Sequence, residues 1–93
     1  MSLETLASKY IVSAEKVLKK MRRVKGSITV NEECVENIVA HLTTYLADAK
    51  YYKAQKRFET SLTSIAYCEG LLDALRLLGA VKFEWPANTK SEK

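Results

Sequence analysis

Leu3, Ala7, Tyr10, Ala14, Val17, Met21 and Val24 recur at alternating steps of four and three residues, which lays one apolar stripe along a helix. The spacing predicts a first helix over about 3–24. Ser2 stands where an N-cap belongs, Glu4 falls in the first turn, and basic residues gather at the far end, as the helix dipole favours. Lys25 to Ile28 interrupt the pattern, with Gly26 placed as a residue just past a helix C-terminus. Thr29-Val30-Asn31-Glu32 reads as a capping box opening a second helix over 30–54. Its stripe is Val35, Ile38, Leu42, Tyr45, Ala49 and Tyr52, and Cys34, Val39 and Leu46 widen the face enough for two neighbours. A new stripe at Phe58, Leu62 and Ile65 starts a third helix over 58–78, closed by Gly79. No Gly or Pro marks the turn at 54–57, so only the resumed stripe places it. Val81, Phe83 and Trp85 alternate like an extended strap folded back on the helices. Short links force neighbouring helices antiparallel. The expectation is an all-α, up-down-up three-helix bundle with a short extended C-terminal tail, one domain over 1–86, and a disordered end at 87–93.

Composition agrees. Ninety-three residues suit one domain, and 47% hydrophobic with 28% charged residues suits a packed core, not disorder. Three Gly and one Pro are too few for the turns of a β-sandwich or barrel. Two cysteines cannot build a disulfide framework. No charged-then-apolar leader and no long apolar run is visible, so a reduced, soluble, cytoplasmic protein without a membrane partner is expected.

Tyr45-Leu46-Ala47-Asp48-Ala49-Lys50-Tyr51-Tyr52, with Ile65-Ala66-Tyr67-Cys68-Glu69-Gly70-Leu71-Leu72-Asp73-Ala74-Leu75-Arg76-Leu77-Leu78-Gly79 after it, resembles domain-of-unknown-function family 357. These are small archaeal helical proteins. The resemblance covers Tyr45 to Gly79 and implies a helical bundle in an archaeal cytoplasm, but no agreed activity. Members often carry a Gly in the turn after the paired aromatics, whereas Gln55-Lys56-Arg57 has none. The same hairpin is similar in packing pattern to one tetratricopeptide unit, with small Ala49 and Ser61 letting the helices approach and Tyr52 and Phe58 filling the gap beside them. One unit cannot make a solenoid.

Along helix three the line of Phe58, Leu62 and Ile65 runs on into Glu69, Asp73 and Arg76, so the stripe turns ionic. With Asp48 of helix two, three carboxylates are candidates to converge on a cation or a basic partner; the plainer reading is a solvated salt-bridge cluster worth tenths of a kcal/mol. Past Tyr67 the apolar side covers about half the circumference of the helix, more than one neighbour needs. Tyr67, Leu71, Ala74 and Leu78, with Phe83 and Trp85, are therefore the candidate partner interface.

His41 is the only histidine. Cys34 and His41 lie seven residues apart, about 10 Å along the axis, too far for one metal to span comfortably, so no metal site and no cofactor are expected. There is no nucleophile elbow, phosphate loop or Cys-His pair in a recognisable setting, and an enzyme is not expected.

Residues 1–25 carry seven Lys or Arg against two Glu, net +5, while the rest of the chain nets −1. Lys19, Lys20, Arg22, Arg23 and Lys25 are the candidate phosphate-binding set. Cations at a helix C-terminus also complement its dipole, and Tyr10 alone offers a stacking ring there. The first expectation is a non-catalytic protein-interaction or assembly module, binding a protein partner or a second copy of itself. The alternative is a basic nucleic-acid-binding accessory domain.

Overall fold

The computed structural model describes residues 2–86, so the tail at 87–93 lies outside the described residues. The chain is all-α, with three helices in the expected number and order: α1 Leu3–Lys20, α2 Glu32–Ala54 and α3 Phe58–Leu77.

Local chemistry sets each boundary. The Ser2 hydroxyl accepts from the Thr5 amide at 3.0 Å and opens α1. This helix stops at Lys20, earlier than the stripe predicts, and Met21 is already extended with ψ 147°. Lys19, Lys20, Arg22 and Arg23 crowd one another there, and exposed Met21 and Val24 gain no burial to offset the repulsion. Asn31, not Thr29, caps α2: its side-chain oxygen accepts from the Cys34 amide at 2.9 Å, so the helix begins at Glu32.

Both ends of the following hairpin use one closing device. At the turn after α2 the Arg57 amide donates to the Tyr52 carbonyl at 2.9 Å and the Lys56 amide to Lys53 at 3.0 Å. That is a Schellman motif, and its left-handed position is filled by Lys56 at φ +62°. After α3 the Ala80 amide reaches Leu75 and the Gly79 amide reaches Arg76, each at 3.0 Å, with Gly79 at φ +79°. Here glycine supplies the conformation without strain.

The three-residue link makes α2 and α3 antiparallel, and the tertiary contact between helices is theirs. Leu42, Ala49, Cys68 and Leu75 are buried, and Leu75 is 1% exposed. Ile38, Tyr45, Ile65, Leu71, Leu72, Ala80 and Val81 pack around this centre. Each predicted stripe position of α2 is buried or half-buried, while the flanking Cys34, Val39 and Leu46 face outward. On α3 the register differs from the reading. Phe58 and Leu62 are 55% and 67% exposed, and the inward line is Ser61, Ser64, Ile65, Cys68, Leu72 and Leu75. Ser61 explains it: its hydroxyl donates to the Ala49 carbonyl at 2.7 Å, so small and hydroxylated residues carry the close crossing and Phe58 is left outside.

The three helices share this core unequally. No residue of α1 is buried. The start of α1 lies beside the hairpin, where Leu3, Leu6, Ala7 and Tyr10 line a cleft with Glu59, Thr60 and Thr63 of α3. The arrangement is open: the radius of gyration is 16.0 Å, against ~12 Å for a compact domain of this length.

Candidate functional site

The two candidate groups of α3 behave differently from the way the sequence divides them. Asp73 and Arg76 do pair, Arg76 Nη2 standing 3.2 Å from Asp73 Oδ1. The same carboxylate oxygen accepts from Trp85 Nε1 at 3.0 Å, and the Arg76 guanidinium lies 5.5 Å from the centre of the Phe83 ring. Phe83 and Trp85 meet edge to face at 5.0 Å. These two aromatics are therefore half-buried fasteners of the strap, held by the end of α3. Alternation along 81–85 brings Val81, Phe83 and Trp85 to the helix and leaves Lys82 and Glu84 exposed.

Asp48 and Glu69 do not complete a carboxylate cluster with Asp73. Among the described residues no three His, Cys, Asp or Glu side chains gather closely enough to hold a metal ion. Asp48 is half-buried on α2 and Glu69 exposed on α3.

Of the remaining interface candidates, Leu71 is half-buried and packs against the core, whereas Tyr67, Ala74 and Leu78 are exposed. Tyr67 closes a small aromatic group with α2: its ring centre is 4.4 Å from that of Tyr45 and 5.9 Å from that of His41. The Tyr67 hydroxyl and His41 Nε2 are 3.5 Å apart. Cys34 is an exposed free thiol and Cys68 a buried one. Burial pushes the Cys68 thiol pKa up, and the adjacent Glu69 carboxylate adds to the shift. A buried thiol held protonated is a poor nucleophile and a poor metal ligand.

Two surfaces stand out by shape. The first is a groove at the pole where α2 begins and α3 ends, lined by Val30, Asn31, Glu32, Val35, Glu36, Leu78, Gly79 and Ala80. It sets apolar Val30, Val35, Leu78 and Ala80 beside acidic Glu32 and Glu36, which form its charged edge. The second is the outer half of α1, where Lys16, Val17, Lys20 and Met21 form a patch of the opposite sign. Val17, Leu18 and Met21 are each more than half exposed. The candidate phosphate-binding residues Lys19, Lys20, Arg22, Arg23 and Lys25 are all exposed at and beyond this end of α1.

A family model described as "Protein of unknown function (DUF357)" matches residues 9–81. The chain belongs to the DUF357 family. The match begins within α1, at Lys9, and runs through the hairpin to Val81 at the start of the strap, so the DUF357 unit includes both the outer half of α1 and the polar groove. No curated protein and no solved structure matches the chain. No helix among the described residues is long and apolar enough to cross a membrane.

Sequence reasoning missed the groove and the exposure of α1. The groove joins residues over forty positions apart, from Val30 to Leu78, and nothing in a linear pattern pairs them. The stripe of α1 was visible, but periodicity treats every stripe alike and assigned it to the chain's own core. His41 meeting Tyr67 likewise depends on the register of the hairpin, which the displaced α3 stripe hid.

Proposed function

We propose that this DUF357 chain is a non-catalytic helical interaction module whose working surface is α1. The observation that carries the reading is that a strongly amphipathic helix of 18 residues has no buried residue. An isolated helix of that length is marginal in water and is normally held by packing of its apolar face. Leu3, Tyr10, Ile11, Val17, Leu18 and Met21 are all more than half exposed, far beyond scattered surface hydrophobics, and such continuous stripes mark contact sites. The α3 residues Tyr67, Ala74 and Leu78 extend the accessible apolar surface of the hairpin. The free thiols of Cys34 and Cys68 suit a reducing cytoplasm.

Replacing Val17 and Leu18 together by Glu tests this. The expected result is an intact α2–α3 hairpin, seen as retained helical circular dichroism and a cooperative melt, with loss of the protein complexes recovered after nuclease and high-salt washing. Collapse of the melt would mean that the stripe belongs to the core of a folded monomer, and the reading would fail.

A second reading rests on one feature. Between Lys16 and Asn31 there is no acidic residue, and Lys16, Lys19, Lys20, Arg22, Arg23 and Lys25 are exposed. That segment suits a phosphate backbone, and binding of this kind would weaken steeply with salt and survive the Glu substitutions at Val17 and Leu18 better than charge reversal at Arg22 and Arg23.

A further inference from the structure

The partner that best fits the outer half of α1 is found on the chain itself. The rim of the polar groove carries Glu32 and Glu36, one helical turn apart on α2. The patch on α1 carries Lys16 and Lys20, also one turn apart. On both elements the charged pair flanks an apolar strip, Val17 and Met21 on α1, and Val30, Val35, Leu78 and Ala80 in the groove. Residues four apart on a helix share a face and recur every ~6 Å along it. Two basic side chains therefore meet two acidic ones at the same pitch, with apolar residues between.

No residue of the chain's own α1 lines the groove. Its first half sits at the opposite pole, beside Glu59, Thr60 and Thr63 where α3 starts, and its second half is exposed throughout and packs against neither α2 nor α3. The area left open is large: accessible surface totals 8364 Å², roughly 3,000 Å² more than a compact monomer of this mass exposes. A stable dimer of ordinary size covers about 800 Å² on each partner.

We infer that two copies of this chain assemble by reciprocal docking, the Lys16, Val17, Lys20 and Met21 face of each α1 entering the Val30, Val35, Leu78 and Ala80 groove of the other copy, with Lys16 and Lys20 opposite Glu32 and Glu36. The contact occurs twice about a twofold axis, so it closes at two copies and leaves no free end for further growth. The inference rests on the reading of α1 as the working surface and adds the identity of the partner.

Charge exchange between chains tests it. One variant carries Lys16→Glu and Lys20→Glu, the other Glu32→Lys and Glu36→Lys, each followed by sedimentation equilibrium, alone and mixed. The wild type is expected to be dimeric at ~10 to 100 μM, the range of a modest interface. Each variant alone sets like charges against each other at both contacts and should dimerise at least about tenfold more weakly. Mixed one to one they should form a heterodimer, because the acidic α1 then meets the basic groove and the basic α1 the acidic groove. A wild type monomeric throughout that range would overturn the inference, and so would folded variants that fail to pair when mixed. Closure of α1 onto its own groove gives that second result, since mixing cannot repair a contact within one chain. Glu32 stands in the first turn of α2, where Lys is unfavourable; should circular dichroism show that variant unfolded, Glu36→Lys paired with Lys20→Glu takes its place with the same outcomes. A monomer that still holds other proteins through Val17 and Leu18 would sink this inference alone, while loss of the melt in the Val17 and Leu18 variant would sink the broader reading.

Discussion

Lys56 occupies the left-handed position of the turn between α2 and α3, at φ +62°, where its Cβ crowds the following carbonyl. A non-glycine residue there costs ~1 to 2 kcal/mol, and glycine removes that cost while returning ~0.4 to 1 kcal/mol of backbone freedom to the unfolded chain. The net gain for Lys56→Gly is about 0.5 to 1 kcal/mol, which raises the midpoint of a small domain by roughly 2 to 8 °C. Lys56 also carries a positive charge just past the C-terminal end of α2, so Lys56→Ala is the proper reference, removing the charge and keeping the strain. Thermal denaturation followed by circular dichroism at 222 nm on the three chains reads the difference. Lys56→Gly should melt highest and Lys56→Ala at or slightly below the wild type. The mirror experiment is Gly79→Ala: an added Cβ meets nothing within 4 Å, so the expected loss of about 1 kcal/mol comes from φ +79° alone. If Lys56→Gly is no more stable than Lys56→Ala, the turn is not closed by a left-handed residue and the Schellman geometry assigned to it is wrong.

Ser61→Ala removes the 2.7 Å hydrogen bond to the Ala49 carbonyl and should lower stability by about 1 kcal/mol in the same melt. Iodoacetamide should label Cys34 rapidly and spare Cys68 until the hairpin unfolds, as peptide mapping after timed quenching would show. Because the folded pKa of Cys68 is raised, its contribution to stability is fully present below the ordinary value of 9.0 and is lost as pH rises through the folded value. Urea melts above pH 9.0 should therefore fall more steeply for the wild type than for Cys68→Ala, although that variant starts lower. Asp73→Ala, which removes the acceptor for Trp85 Nε1, should free the strap, seen as a red shift and stronger quenching of Trp85 fluorescence with little change in the helical signal.

The elements were legible because their signals are local. Ser2, the stripe of α2 and Gly79 each act through neighbours within a turn or two, and each behaves as read. Asn31 displaced Thr29 as the cap of α2 because both offer a side-chain oxygen and the chain took the one nearer the helix. The turn at Lys56 had no breaker to announce it, since the hydrogen bonds of the closing motif tolerated a strained lysine. The stripe of α3 was misaligned at its start for a related reason: a count of apolar residues passes over Ser61 and Ser64, yet these two face the partner helix.

The site was less legible than the fold, and α1 shows why. An amphipathic period states that a face requires cover and carries no information about which molecule provides it. The stripe of α2 and that of α1 look equivalent in sequence, yet one is buried within the hairpin and the other is not buried at all. What separates them is charge rather than hydrophobicity. Ala49 accepts from Ser61 and Tyr45 packs against the cluster of Cys68, where no ion pair is needed, whereas Val17 and Met21 are bordered by Lys16 and Lys20. A basic border on an uncovered stripe calls for anionic groups on whatever covers it, because ammonium groups buried without them are desolvated without compensation. The groove between Val30 and Ala80, with Glu32 and Glu36 on its rim, meets that requirement.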